Sequence, residues 1–133
     1  MSSRRPAVAG VFYPSDRHEL QLSIEAAFAE AAPSLHDSTS PKALIVPHAG
    51  YIYSGAVAAS AFRRIAPARK QIHRVVLLGP SHRVYVRGIA VPSVDSFDTP
   101  LGPITIDAEL RAAILCLPAV VIDDEPHRRE HSL

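Results

Sequence analysis

The sequence predicts an α/β fold with a parallel or mixed central sheet flanked by helices. Two short, continuously apolar runs at residues 43–46 and 74–78 enclose an amphipathic segment. Such runs are typical of strands buried on both faces, and strand, helix and strand within about 40 residues form a βαβ unit. We therefore predict that the two runs are parallel strands joined by a helix near 55–66, with Ser54 as its cap.

An amphipathic helix is predicted over residues 16–31. Asp16 offers an N-cap side chain and Glu19 follows three residues later, which is a capping-box arrangement. Apolar residues then recur at helical spacing, so one face of this helix should be buried. These residues are Leu20, Ile24, Ala27, Phe28 and Ala31.

Shorter elements should follow the second apolar run. We predict strands at 88–91, 104–106 and 119–122, a helix at 107–117 capped by Asp107, and the start of a helix at 127–133.

Composition narrows the classes of function. With 133 residues, 47% hydrophobic and 20% charged, the chain has the size and composition of one ordinary globular domain. A net charge of +1 with scattered arginines predicts no nucleic-acid partner. No apolar stretch or leader suggests a membrane or secretory protein, and a lone cysteine fits a cytoplasmic location. Cys116 lies in an apolar run, which favours a place in the core.

Two histidines follow the two predicted strands. His48 comes after Pro47, and His82 comes after a Gly-Pro-Ser turn. Parallel strands of a βαβ unit end at the same sheet edge, where ligands bind. Neutral imidazoles suit iron, copper or zinc, and the backbone around Gly50 can pass close to a bound species. We predict that the closest ring nitrogens of the two histidines lie within about 3 to 5 Å.

Other interpretations of these residues stay open or are weaker. Each histidine taken alone is more simply a hydrogen-bonded loop residue. Residues 127–131 match the H-x-x-E-H string of some zinc proteases, which would place His127 and His131 on one helix face. A pattern with three fixed positions arises easily by chance. No nucleophile elbow or phosphate-binding glycine loop is present.

Several motifs together resemble the Memo family, whose prokaryotic members are called AmmeMemoRadiSam system protein B. The motifs are PHAGYIYSG, LGPSH, VDSFDTPLG followed by ITID, and the terminal EHSL, in the family's order. The opening AGVFYPSDRHELQLSIEAAF also resembles that family's N-terminal segment. The resemblance covers essentially the whole chain and implies that residues 1–133 are a single Memo-like domain, the truncated N-terminal half of a longer protein.

The resemblance implies a fold similar to class III extradiol dioxygenases and a metal site. The family's metal-site histidines fall on His48 and His82, with iron or copper as the expected metal. The family's cysteine ligand belongs to a part beyond this chain, and Cys116 does not match it. Residues expected to line the pocket or to support the ligands are Gly50, Tyr51, Tyr53, Ser81 and His131.

Two functions are compatible with this resemblance. The first is a metal-dependent redox or dioxygenase-like protein in a pathway with radical-SAM and AMMECR-type proteins. The second is a non-catalytic module that recognises a peptide or a small acid in the same pocket. The metal content of the purified protein distinguishes them, because only the first requires iron or copper.

Overall fold

The computed structural model describes residues 2–31 and 40–133 as an α/β protein with parallel and mixed sheets and flanking helices. The predicted α/β class, with parallel and mixed sheets flanked by helices, is therefore confirmed, whereas the similarity to class III extradiol dioxygenases stays a prediction. Two compact units divide the chain: unit 1 comprises Met1–Ala9 and Leu78–Leu133, and unit 2 comprises Gly10–Leu77. No helix in the described part of the chain is long and apolar enough to cross a membrane.

The described residues of unit 2 form two packed helices and one turn of 3₁₀-helix. Helix α1 spans Arg17–Glu30, helix α2 spans Tyr51–Phe62, and the 3₁₀ turn spans Ala66–Ala68. The helices approach closely at Gly55, where an added Cβ would lie only 3.5 Å from the Ala27 side chain. The predicted helix over residues 16–31 is confirmed, and its Leu20 side chain is buried as the spacing required.

Asp16 is the N-cap of α1, and its removal tests this cap. One carboxylate oxygen accepts hydrogen bonds from the backbone N–H groups of His18 and Glu19, both at 2.9 Å. We expect Asp16→Ala to lower the free energy of unfolding of unit 2 by about 1 kcal/mol, because two N–H groups lose their acceptor. Urea unfolding followed by helix circular dichroism measures the loss. Asp16→Asn keeps the acceptor, so an equal loss in both variants would contradict the cap.

Helix α2 begins earlier than the sequence predicted. Its N-cap is Gly50, and the Tyr51 N–H donates to the Phe12 carbonyl at 2.8 Å. Because a backbone carbonyl satisfies this first N–H, no side-chain cap is needed there. The prediction that Ser54 caps the helix was wrong: Ser54 lies within the first turn, is buried, and donates its hydroxyl to the Ala49 carbonyl at 2.9 Å.

The two apolar runs that motivated the βαβ prediction are not strands. Residues 43–46 and 74–78 have no regular secondary structure, and Ile45 is fully exposed. The prediction that they form a parallel pair was therefore wrong. An apolar run favours burial, but a strand also needs a hydrogen-bonded neighbour. Within the described part of the chain, neither run is paired with any strand.

One sheet of unit 1 is mixed and has three strands. These are β1 (Ser3–Arg4), β3 (Ser96–Thr99) and β4 (Gly102–Thr105), in the order β1-β3-β4. β1 pairs with β3 in parallel, and β3 and β4 form an antiparallel hairpin. The hairpin turn is closed by the Thr99 hydroxyl, which donates to the Gly102 carbonyl at 2.7 Å.

The other sheet of unit 1 is a parallel pair. It consists of β2 (Ile89–Val91) and β5 (Val120–Ile122), in the register Ile89–Val120 to Val91–Ile122. Helix α3 (Ala108–Ile114) precedes β5, and Asp107 caps it by accepting from the Leu110 N–H at 2.9 Å. The predicted strands at 88–91 and 119–122 and the predicted cap at Asp107 are confirmed. A parallel pair does exist in the chain, but between segments later than those we predicted.

The end of unit 1 differs from the prediction in two ways. Helix α4 spans Glu125–Arg128 and stops there, so His127 and His131 do not share a helix face. Instead, His127 is buried with Nε2 3.2 Å from the Ala90 carbonyl. Cys116 is exposed rather than in the core, because α3 ends at Ile114 and the chain turns away.

Candidate metal centre

The loop before β2 and the C-terminal segment lie side by side within unit 1. The Ser132 hydroxyl donates to the Pro80 carbonyl at 2.7 Å. A Cβ on Gly79 would lie 2.6 Å from that hydroxyl oxygen and 2.9 Å from the Ser132 carbonyl, so the segments approach this closely only with glycine at position 79. Gly79, the glycine of the LGPSH motif, thus allows the loop that carries His82 to lie against the segment that carries His131.

His82 and His131 stack on each other. Their ring centroids are 4.4 Å apart and the ring planes are inclined by 25°. One ring nitrogen of each lies within 4.8 Å of one of the other. His82 is partly exposed at 39% of its side-chain surface, whereas His131 is 18% exposed. The imidazole rings of His82 and His131 therefore lie against each other, with one ring nitrogen of each close to one of the other.

Glu130 lies beneath this pair and is almost completely buried, with 3% of its surface exposed. Oε2 accepts from the His82 backbone N–H at 2.6 Å. Oε1 lies 2.8 Å from Nδ1 of His82 and 3.2 Å from Nδ1 of His131. The same oxygen accepts the backbone N–H groups of His131 at 2.8 Å and of Ser132 at 3.1 Å. A single carboxylate thus contacts both rings and three backbone donors.

The Glu130 carboxyl is strongly acidic for physical reasons. Burial alone would raise its pKa, but hydrogen bonds outweigh burial and lower the pKa to about 2. The donors responsible are the backbone N–H and ring of His82, followed by the backbone N–H groups of His131 and Ser132. Each of these bonds favours the charged form. Glu130 is therefore a permanent anion beside two imidazoles at neutral pH.

Arg4 holds the other end of Glu130. From strand β1, its Nη2 donates to the Glu130 carbonyl at 2.6 Å. Its guanidinium carbon lies 4.5 Å from the ring centroid of Phe97 on the neighbouring strand β3. The mixed sheet therefore anchors the backbone of the segment that carries Glu130 and His131.

The structure places the other predicted residues individually. His48 and Gly50 lie in unit 2 just before α2, and His48 is exposed. Tyr51 and Tyr53 are in the first turn of α2; Tyr53 is 80% exposed, whereas burial, and then the Tyr13 phenol, raise the pKa of Tyr51. Ser81 donates its hydroxyl to the Val84 carbonyl at 2.6 Å.

Of the predicted site residues, His82 and His131 are brought together within unit 1, and the convergence of His48 with His82 stays a prediction. Sequence reasoning did not single out Glu130 or Arg4. The acidic residue directly before the histidine of EHSL was the available signal for Glu130. Nothing local to Arg4 connects it to a residue 126 positions later, so only tertiary structure could reveal that contact.

The family model described as "Memo-like protein" matches residues 4–133. This chain belongs to the Memo family. The chain is also 44% identical over 133 residues to a MEMO1 family protein of Aquifex aeolicus, covering 100% of this chain and 47% of that relative. It is 40% identical over 138 residues to a MEMO1 family protein of Metallosphaera sedula, covering 98% and 49%.

The Memo resemblance seen in the motifs is thus confirmed over the full length of the chain. A third relative, a MEMO1 family protein of Aeropyrum pernix, is 38% identical over 141 residues, covering 100% of this chain and 50% of the relative. The chain therefore spans about half the length of the curated Memo relatives it matches.

Proposed function

We propose that this Memo-family chain contributes three histidines, His48, His82 and His131, to the transition-metal site of a redox protein, with iron or copper as the metal. The observation that carries the proposal is the stacked pair of His82 and His131 over the buried Glu130 carboxylate. This arrangement removes water from the stacked rings and from the carboxylate, which costs free energy unless the groups are hydrogen-bonded or bind a ligand.

The donor set fits such a metal. Neutral imidazole is a good ligand for iron, copper and zinc. Two nitrogens bound to one ion at about 2.1 Å each lie at most about 4.2 Å apart. The ring nitrogens of His82 and His131 lie within 4.8 Å, so at most a small side-chain rotation brings both into ligand range. Carboxylates that accept a hydrogen bond from a ligating histidine are the usual outer partners of metal sites, which is the place Glu130 takes.

His48 is proposed as a further ligand because it lies in the PHAGY motif, where the family resemblance implies a metal-site histidine. It is exposed and precedes the first residue of α2 by three positions. Cys116 is not proposed as a ligand, because it is exposed in the turn after α3. A bound iron or copper ion would supply Lewis acidity and one-electron redox chemistry. The residues of this chain would bind it and fix its orientation.

Metal titration with histidine variants tests the proposal. Calorimetry with Fe²⁺ under anaerobic conditions, Cu²⁺ and Zn²⁺ compares the chain with His48→Ala, His82→Ala and His131→Ala. Loss of an outer partner already costs about 10- to 100-fold in affinity, so loss of a ligand should cost at least about 100-fold. His73→Ala, an exposed histidine of unit 2 outside the proposed set, is the matched control and should leave affinity unchanged. Equal affinity in the chain and in His48→Ala/His82→Ala would contradict the site.

The pH of the titration adds a second test. Ligation requires neutral imidazole and releases protons, so binding should strengthen as the pH rises from 5.5 to 8. A metal affinity that does not change between pH 5.5 and pH 8 would point to carboxylate ligands instead, and would contradict histidine ligation.

A second candidate function is a binding module without turnover. The observation that favours it is the aromatic surface at the start of α2, where Tyr53 is 80% exposed. Such a surface could recognise a peptide or a small acid. Protein purified without added metal that contains neither iron nor copper, and shows no oxygen uptake with catechols, would favour this module. The radical-SAM and AMMECR-type proteins are proposed partners in either case, and co-purification tests them.

A further inference from the structure

We propose that Glu130 is a positioning residue that holds the imidazole ring of His82 in the tautomer protonated on Nδ1. The Nε2 of His82 then carries the lone pair. The statement that Nε2 is the metal-binding atom rests on the proposed function, whereas the tautomer itself can be measured without any metal.

The chemistry of the carboxylate dictates the tautomer. Three backbone N–H groups donate to Glu130, those of His82, His131 and Ser132, so its oxygens act as acceptors. An ionised carboxylate has no proton to donate. A ring nitrogen 2.8 Å from such an oxygen must therefore carry the proton, which places it on Nδ1 of His82. A neutral imidazole has only one N–H, so Nε2 is left as an acceptor.

His131 contacts the same carboxylate through its backbone. Its backbone N–H donates to Oε1 at 2.8 Å, and its ring Nδ1 lies 3.2 Å from that oxygen. Because Oε1 already accepts from the His82 ring and from two backbone N–H groups, Glu130 dictates the tautomer of His82 alone. Free histidine in water prefers the opposite tautomer, with the proton on Nε2, so His82 departs from the solution preference.

The carboxylate cannot move away from the rings without losing its other contacts. Its side chain is 4% exposed, so water does not compete for its oxygens. The backbone of Glu130 is fixed by Arg4, whose Nη2 donates to its carbonyl at 2.6 Å. Orientation of a ligand by a fixed outer partner raises metal affinity by about 10- to 100-fold. Glu130 thus prepares the His82 ring as a ligand before any ion arrives.

Nitrogen NMR of the imidazole rings tests this role in the metal-free chain. Ring ¹⁵N shifts of the neutral imidazole distinguish the two tautomers. We expect Nδ1–H for His82 in the wild type. In Glu130→Gln the side chain gains an N–H donor, so the His82 ring should shift toward the Nε2–H form. Ser132→Ala removes the hydroxyl that bonds Pro80 but keeps the backbone N–H that donates to Glu130, so it should leave the His82 tautomer unchanged.

The outcomes separate this inference from the proposed function. A wild-type His82 ring found in the Nε2–H form, or an unchanged His82 tautomer in Glu130→Gln, would overturn the role of Glu130. If Glu130→Gln does not fold, the wild-type assignment alone decides, because the Nδ1–H form is required in His82. In the metal arm, Glu130→Gln should lower Zn²⁺ affinity about 10- to 100-fold. Zn²⁺ that fails to bind the wild type would refute the proposed metal site, while the tautomers would still decide the positioning role.

Discussion

Gly88→Ala is expected to destabilise unit 1 by about 3 kcal/mol or more. Gly88 has φ of +100°, which side-chain-bearing residues adopt only under strain. A Cβ there would also lie 2.3 Å from the Ala119 carbonyl oxygen, which accepts the Ile89 N–H at 2.7 Å. Strain and overpacking each cost about 1 to 3 kcal/mol. Relieving the clash must separate β2 from β5 where their pairing begins.

Gly102→Ala is the matched control for this effect. Gly102 also has a positive φ, of +129°, but an added Cβ would meet nothing within 4 Å. Gly102→Ala should therefore lose stability through backbone strain alone. The loss of unfolding free energy in Gly88→Ala should exceed that in Gly102→Ala by about 2 kcal/mol. Hydrogen exchange of residues 89–91 and 120–122, together with urea unfolding, measures both. Equal losses in the two variants would mean that the contact with Ala119 carries no energetic weight.

Acid is expected to remove about 2 kcal/mol of stability through Glu130 alone. The folded pKa of about 2 is depressed below the ordinary value of 4.5. A depressed carboxyl stabilises the fold fully above the unfolded pKa, and this contribution is lost as pH falls from about 4.5 to about 2. Between pH 5 and pH 2.5, the linkage relation gives a loss of about 2 kcal/mol.

Glu130→Gln isolates this contribution, because an amide does not titrate. Hydrogen bonds from Ser2 and Ser93 lower the pKa values of Asp95 and Asp124 respectively, so the wild type and the variant share those acid losses. The measurement is urea unfolding of metal-free protein at pH 5 and at pH 2.5. We expect the wild type to lose about 2 kcal/mol more than Glu130→Gln over this interval. Identical losses would show that the carboxylate is not held by its donors in solution.

The sequence determined those features whose causes are local. Asp16 and Asp107 each precede a helical apolar pattern, and a cap needs only the N–H groups two or three residues ahead. The strand at 119–122 and the Memo motifs are likewise readable along the chain. The motifs also indicated His82 and His131, because the residue types that ligate metals are few and their positions in the motifs are distinctive.

Tertiary structure alone decided which segments pair and which side chains meet. The runs at 43–46 and 74–78 have a stronger apolar pattern than β2, yet β2 is the segment that forms a strand. Pairing depends on a hydrogen-bonded neighbour, and the neighbour of β2 is β5, about 30 residues later. The stacking of His82 on His131 and the position of Glu130 beneath both have the same origin. They join residues 49 and 48 positions apart, through a close approach at Gly79 that no local pattern encodes.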